Sequence, residues 1–260
     1  MIEVENISKK FKLSKKQKKE LKSDSDYSLA VKDVSFKCYP GEVFSLLGPN
    51  GAGKTTTLRM LATILKPTSG RIKVMDIDLS EKPQEARAKM GFLTGSTGLY
   101  ERLTADEILN YFGSLYGITK TELNSRKENL YNLLGMEDFI NKRIGQLSTG
   151  MKQKVSIART MIHDPDVVVF DEPTSGLDVI TAENIIKLIK DCKNNGKTVI
   201  FSSHIMSEVD LLCDKLAIIH KGEICYTGTM DEFRSNSVEK NLTGEFIRII
   251  NEANKDLKDA

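Results

Sequence analysis

The spacing of apolar positions changes several times along the chain, and each change marks an element. Residues 1–7 alternate apolar and polar, the period of a strand, and residues 29–38 do so again. Pro40-Gly41 then turns the chain into Val43-Phe44-Ser45-Leu46-Leu47, an apolar run that predicts a buried strand. Helix formers follow over residues 55–65. Pro67-Thr68-Ser69-Gly70 is a turn, residues 71–75 a short strand, residues 83–90 a helix, and Gly91-Phe92-Leu93 the start of another strand.

Residues 95–148 lose this alternation. Thr104 and Glu107 stand at the spacing of a capping box, and Ile108, Leu109, Phe112, Leu115 and Tyr116 follow at helical spacing. A second helix, residues 121–134, carries Leu123, Leu130 and Leu134 and ends at Gly135. The segment reads as a helical insertion in an α/β pattern, which then resumes. Ser148 caps a helix over 149–163, and residues 166–170 form an almost all-apolar strand, as expected at the centre of a parallel sheet. A long helix runs from Asp178 to Asn194-Asn195-Gly196. Then come a strand (198–202), a short helix (207–213), a hairpin around Lys221-Gly222, and one or two amphipathic helices at the end.

The pattern predicts one α/β domain over residues 1–260. Residues 1–94 and 149–228 carry the strands and the α/β alternation, residues 95–148 a helical insertion, and residues 229–260 a C-terminal helical extension.

Composition narrows the class without naming a partner. The 260 residues are 40% hydrophobic and 28% charged, with a formal net charge of +2, the balance of a soluble globular protein. Cys38, Cys192, Cys213 and Cys225 are scattered, without metal-ligand spacing, so reduced thiols in a cytosolic protein are expected. The first residues do not read as a signal peptide, and no apolar run approaches the roughly 18–20 residues that cross a bilayer. Any membrane role is expected to run through another polypeptide. Lys9, Lys10, Lys12, Lys15, Lys16, Lys18, Lys19 and Lys22 concentrate in one segment. It reads either as a solvated loop or hairpin extension, or as a basic patch for anionic lipid headgroups or nucleic acid. No aromatics interleave with the lysines, so a nucleic-acid partner is not expected.

Candidate chemistry centres on Gly48-Pro49-Asn50-Gly51-Ala52-Gly53-Lys54-Thr55-Thr56, a phosphate-binding P-loop between a strand and a helix start. Its glycines let backbone N–H groups turn around a phosphate chain at the positive end of a helix dipole. Lys54 can reach the terminal phosphates and the Thr55 hydroxyl can ligate Mg²⁺. Val167-Val168-Val169-Phe170 leads into Asp171 and Glu172. Asp171, at the end of a buried strand beside the P-loop, can hold Mg²⁺. Glu172 can orient or deprotonate an attacking water. Leu147-Ser148-Thr149-Gly150-Met151-Lys152-Gln153 adds a second anion site, a helix start with a hydroxyl and a glycine. Two phosphate sites in one chain suggest that two chains sandwich each nucleotide.

In this order of motifs the chain resembles the ATP-binding cassette (ABC) ATPases over essentially its whole length. Residues 48–56 match the Walker A motif and residues 167–172 Walker B. Residues 147–152 match the signature motif, with Thr149 and Met151 where the commonest form has Gly and Gln. Ser175-Gly176-Leu177-Asp178 matches the D-loop, and Ser203-His204 the switch histidine. The resemblance implies a RecA-like P-loop NTPase core with an antiparallel β subdomain and an inserted helical subdomain. It implies an ATPase using ATP and Mg²⁺, on the cytoplasmic face of the membrane, dimerising head to tail and driving a separate permease. Lys54 and Thr55 of one copy, with Ser148, Thr149, Gly150 and Asp178 of the other, would enclose each ATP. Glu172 would be the general base and His204 would contact the γ-phosphate, its other reading being structural. Phe11 would stack on adenine; its other reading is a core side chain, and Tyr27 is the rival stacking residue.

One departure concerns coupling. The family's usual Gln after the Gly-x-Leu strand is missing, Gly95 standing there, with Ser96 and Thr97 as alternative hydroxyls. Residues 94–104 and the Ser-Thr-Gly-Met-Lys-Gln signature resemble sodium-exporting Nat-type subunits, with drug-export subunits close. Leu99, Tyr100, Tyr111 and Tyr116 are read as the core of the helical insertion or as a docking surface for the membrane subunit. Two other classes differ in architecture. Non-transport ABC ATPases usually carry two cassettes, zinc modules or coiled coils, and a small-molecule kinase needs no signature motif.

Overall fold

A computed structural model describes residues 1–21, 24–94 and 98–259. Two sheets carry the fold. In the first, β1 (Ile2–Lys12) and β2 (Tyr27–Cys38) form a long antiparallel hairpin around α1 (Lys15–Leu21). The second begins with β3 (Val43–Leu47), which leads into α2 (Lys54–Leu61). β4 (Ser69–Val74) and β5 (Ile77–Asp78) return to the first sheet, completing the order β2-β1-β4-β5.

α3 (Pro83–Ala88) and β6 (Met90–Leu93) precede the helical segment, which holds α4 (Ala105–Leu115) and α5 (Lys120–Leu134). α6 (Thr149–Met161), β7 (Val167–Asp171), α7 (Val179–Asn194), β8 (Thr198–Ser203) and α8 (Met206–Leu212) resume the α/β alternation. β9 (Lys215–His220) and β10 (Glu223–Thr229) form a hairpin, followed by α9 (Met230–Ser235) and α10 (Leu242–Asp259). The second sheet runs β10-β9-β3-β8-β7-β6, parallel except at its β10 edge.

Alternation along the central strands feeds two cores. Val43 and Leu47, Val168 and Phe170, and Val199 and Phe201 face the core shared with α4–α8. Phe44 and Leu46, Val167 and Val169, and Ile200 face the core shared with β1, β2 and α2. A sheet covered on both faces needs strands that are apolar along nearly their whole length, which is why β3, apart from Ser45, and β7, up to Asp171, read as near-continuous runs. Each such side chain contributes about 1.5–3 kcal/mol by burial. The register sets Leu47 beside Ser203 and Asp171 beside Ser202, so the carboxyl ends of β3, β8 and β7 lie together. Open α/β sheets form their ligand crevices at such ends.

In the helical segment, Thr104 accepts the Glu107 N–H at 3.1 Å and Glu107 accepts the Thr104 N–H at 2.8 Å, the anticipated capping box. Gly135 ends α5 in the left-handed region, at φ 57°. A polar cluster staples α4 to α5: Lys127 Nζ and the Tyr131 hydroxyl donate to Asp106 Oδ1 at 2.8 and 2.7 Å.

Several expectations need correction. α2 ends at Leu61, four residues early, because Thr63 turns to φ 60° and the N–H groups of Ile64 and Leu65 both return to the Arg59 carbonyl. β1 continues past residue 7 to Lys12 through irregular register, so the lysine segment is a hairpin extension. There Lys18 pairs with Asp26; Lys22 lies outside the described residues. Tyr100, Tyr111 and Tyr116 are exposed rather than core, and only Leu99 of that set packs against the core. Tyr116 stacks on His163, with ring centroids 3.9 Å apart.

Cys38, Cys192 and Cys213 are free, buried thiols, and burial pushes those of Cys192 and Cys213 up to about 12. Among the described residues, no helix is long and apolar enough to cross a membrane.

Candidate active site

The P-loop leaves β3 at Gly48, whose N–H donates to the Ser203 carbonyl at 3.2 Å. A Cβ here would stand 2.3 Å from the Ile219 carbonyl oxygen, so β9 leaves room only for glycine. Gly53, at φ 111°, opens α2, and a Cβ there would meet the Ala30 carbonyl oxygen of β2 at 2.7 Å. No side chain caps this helix start. The loop is thus threaded between two strands, and the first N–H groups of α2 are left to a ligand rather than to the chain.

Lys54 is 4% exposed. Its Nζ donates to the carbonyls of Gly48 and Pro49 at 2.7 and 3.1 Å and lies 3.3 Å from Glu172 Oε1. An ammonium whose other partners are carbonyls and one carboxylate is set to meet phosphate oxygens. Thr55 Oγ1 donates to Asp171 Oδ1 at 3.0 Å, which brings a hydroxyl and a carboxylate together at the start of α2. Such hard oxygen donors suit Mg²⁺, which commonly takes one or two carboxylates and completes its shell with water and substrate phosphates.

Glu172 lies one residue beyond β7 with φ 49°, a left-handed backbone that costs a non-glycine residue about 1–2 kcal/mol. Its carboxylate is bracketed: besides Lys54 on Oε1, His204 Nδ1 stands 3.3 Å from Oε2. The side chain is 27% exposed, so water can reach it. Lys54, Thr55, Asp171, Glu172 and His204 therefore meet at one point. An ammonium, hard oxygen donors, a candidate base and uncapped helix-start amides together suit phosphoryl transfer to water.

Ser148, Thr149, Gly150 and Asp178 form a second cluster. The Ser148 hydroxyl caps α6 by accepting the Met151 N–H at 3.3 Å, which leaves its own proton to donate elsewhere. A Cβ on Gly150 would lie 3.5 Å from Asp178 Oδ2, so the starts of α6 and α7 abut. Asp178 caps α7, its Oδ1 accepting the Thr181 N–H at 3.0 Å and its Oδ2 the Thr181 hydroxyl at 2.8 Å. The Thr181 N–H and then its hydroxyl hold the Asp178 carboxyl below its usual range. Among the described residues, no hydrogen bond or ion pair joins this cluster directly to Lys54, Thr55, Asp171, Glu172 or His204. Beside it stand Val179 and Ile180, 84% and 74% exposed.

Phe11 and Tyr27 lie on the β1–β2 hairpin, both exposed. Phe11 pairs with Ser28 and Lys12 with Tyr27, so neighbouring positions direct the two rings to opposite faces. Lys9 Nζ stands 5.4 Å from the Phe11 ring centroid. Gly95, Ser96 and Thr97, where a coupling residue was sought, lie outside the described residues.

Three polar residues near the site, Ser202, Thr174 and Glu208, were not singled out from the sequence. Ser202 Oγ donates to Asp171 Oδ1 at 2.7 Å and accepts the Glu172 N–H at 3.0 Å. Ser203 and Thr174 donate to the two oxygens of Glu208 at 2.7 and 2.5 Å, tying the segment before His204 to the loop after Glu172. The available signal was polarity at the end of β8, where all six residues are buried. Buried hydroxyls need partners, and there the nearest were site residues.

Comparison with known proteins gives a consistent family. A profile described as ABC transporter matches residues 31–175. The ABC transporter ATP-binding protein NatA of Bacillus subtilis (strain 168) is 47% identical over 219 residues, 84% of this chain and 89% of that protein. The linearmycin resistance ATP-binding protein LnrL of the same organism is 35% identical over 223 residues, 86% and 72% of the two chains. Among solved structures, the dimeric post-hydrolysis state of the ATP-binding cassette MJ0796, bound to ADP and Pi, matches with a TM-score of 0.78 at 27% identity. It covers 88% of this chain and 99% of that one.

Proposed function

The chain belongs to the ABC transporter family as an ATP-binding, ATP-hydrolysing subunit, and from that premise we propose that two copies close on ATP to drive a separate membrane subunit. The amides at the start of α2 and the Lys54 ammonium bind the β- and γ-phosphates of ATP, along residues 48–56. Thr55 and Asp171 hold Mg²⁺, which when bound neutralises charge on the phosphate oxygens. Glu172 accepts a proton from the attacking water, and His204 contacts the γ-phosphate while helping to orient the Glu172 carboxylate. Phe11, or Tyr27 in its place, stacks on adenine.

Ser148, Thr149, Gly150 and Asp178 of the second copy cover the phosphates from the other side. Two observations favour this arrangement: among the described residues the second cluster makes no direct bond to the first, and the apolar Val179 and Ile180 beside it are exposed. The related cassette MJ0796 is dimeric. Residues 95–148 act as the helical subdomain, with Tyr100, Tyr111 and Tyr116 as apolar surface for the permease. Residues 1–94 and 149–228 form the β subdomain and catalytic core, and 229–260 the C-terminal extension. The assembly would work at the cytoplasmic face of the membrane.

The observation that carries the reading is the Glu172 carboxylate held between Lys54 and His204, next to the Thr55–Asp171 pair. Glu172→Gln keeps the shape and removes the base. Turnover should fall by about 10²–10⁴-fold while ATP still binds and an ATP-dependent dimer accumulates in gel filtration. Hydrolysis near the wild-type rate would remove Glu172 as the base.

For the cargo, we propose sodium export. Support comes from the likeness of residues 94–104 and the signature motif to Nat-type subunits, and from 47% identity to NatA. Drug export is the second reading, favoured by the 35% identity to a linearmycin resistance protein. ATP-dependent sodium flux in vesicles carrying both subunits tests the first; protection against linearmycin without sodium flux would favour the second.

A further inference from the structure

We propose that Ser202 is a positioning residue of the hydrolytic site, its buried hydroxyl setting the Asp171 carboxylate and the Glu172 backbone together. The inference rests on the reading of Asp171 as metal-holding and Glu172 as base. β8 lies between the strand that delivers the P-loop and the strand that ends in Asp171, and the register sets Ser202 beside both Leu46 and Asp171. Ser202 is fully buried. A hydroxyl has one proton to give. Here it goes to Asp171 Oδ1 at 2.7 Å, and the oxygen accepts the Glu172 N–H at 3.0 Å. Neither bond serves the sheet ladder; both end on residues of the site.

Each bond has a distinct consequence. Thr55 Oγ1 donates to the same Asp171 Oδ1 at 3.0 Å. Two hydroxyls on one oxygen fix the rotation of the carboxylate and leave Oδ2 unengaged by either. At Glu172 the backbone sits at φ 49°, which an L side chain adopts only when its surroundings hold it there. The bond to Ser202 is such a hold, made at the strained residue itself. Without it, the Glu172 N–H loses its partner and the backbone is free to relax toward an ordinary conformation. The carboxylate would then swing away from Lys54 and His204. Ser203 shows the contrast: strand alternation turns its hydroxyl to Glu208 instead, so adjacent serines serve different groups.

Ser202→Thr and Ser202→Val differ essentially in the hydroxyl, and Ser202→Ala removes it without adding bulk. We expect the threonine variant to stay within a few-fold of wild type. The valine and alanine variants should lose about tenfold to a hundredfold in kcat, as expected when a reacting group is displaced by an ångström. Their half-saturating Mg²⁺ concentration should rise, while ATP binding in EDTA, followed with a fluorescent nucleotide, stays within about twofold of wild type, since the P-loop contacts are untouched. Equal turnover in the threonine and valine variants would overturn the proposal. So would a loss of metal-free ATP binding that matches the loss of turnover, because that marks a merely structural role. Should the β-branched variants fail to fold, near-wild-type turnover and Mg²⁺ dependence in Ser202→Ala would overturn it equally. Glu172→Gln run alongside separates this from the parent reading: if it hydrolyses normally, the base assignment fails, while the Mg²⁺ dependence still reports on Ser202 through Asp171.

Discussion

Two helix starts in this molecule suit anions, and they are built in opposite ways. α2 begins at a left-handed glycine with no side-chain cap, so its first N–H groups are reserved. α6 begins at Ser148, which caps its own helix at 3.3 Å. Around α2 the chain supplies everything else it needs: a buried lysine, two carboxylates and a histidine, linked by contacts of 3.0–3.3 Å. Around α6 it supplies only a hydroxyl, a glycine and the neighbouring cap of Asp178. A helix end with no side-chain cap keeps all its first donors for a ligand, whereas a capped one keeps fewer and adds a hydroxyl toward a ligand held elsewhere. On the proposed reading, α2 would be the primary phosphate site and α6 the closing half.

The largest effect should come from the α2 side. Lys54→Ala removes the one ammonium in the cluster and leaves Glu172 with His204 alone. ATP affinity should drop by at least about tenfold, and turnover by about a hundredfold or more, the scale of losing a preorganised charge at a reacting phosphate. Nucleotide titration and steady-state hydrolysis measure both. Unchanged ATP binding would break the comparison at its root, since α2 would then not be the primary site.

How far the sequence reveals these two regions follows from what each is made of. The P-loop, Asp171 and Glu172 were legible because strand, glycine loop and helix start occupy contiguous residues, and a continuous apolar run must be a central strand. The partnership of α6 with α7 was less so: that Gly150 abuts Asp178 depends on packing between residues 28 positions apart in the chain. Ser202 was invisible, because its role comes from sheet order, and a serine at a strand end reads as a terminator. The exposure of Tyr100, Tyr111 and Tyr116 was left open between core and surface, because a local pattern does not say whether a face is covered. The early end of α2 at Leu61 was missed because nothing in local propensity marks Thr63 for a left-handed turn.

On the α6 side, a charge can separate capping from ligand contact. Ser148→Asp keeps an excellent N-cap and adds favourable charge at a helix start, so stability should hold. The same charge would repel a phosphate brought by a second copy. Turnover and ATP-dependent dimerisation should fall by more than about tenfold, while binding of ATP to the monomer is retained, because like charges at an interface are strongly disfavoured. Ser148→Ala is the complement, costing about 1 kcal/mol of helix stability through the lost cap. If Ser148→Asp hydrolyses ATP normally, the hydroxyl is only a cap and α6 is no half-site.

The smallest effect lies at Asp178, and pH is the means to reach it. Its carboxyl is held below the ordinary range first by the Thr181 N–H and then by the Thr181 hydroxyl, because both bonds favour the ionised form. The sign follows from linkage. A depressed folded value means the cap contributes fully above the unfolded value of about 3.9 and is lost as pH falls through the lower folded value. The stability gap between wild type and Asp178→Ala in urea melts should therefore be constant from neutral pH to about 4 and close below that. A gap that closes well above pH 4 would mean the cap does not rest on the ionised carboxylate. A gap that persists through the acid range would assign it to packing at Gly150 rather than to the charge. In either case the α6–α7 corner would owe its shape to something other than Asp178, and the closing half-site would have to be rebuilt around a different residue.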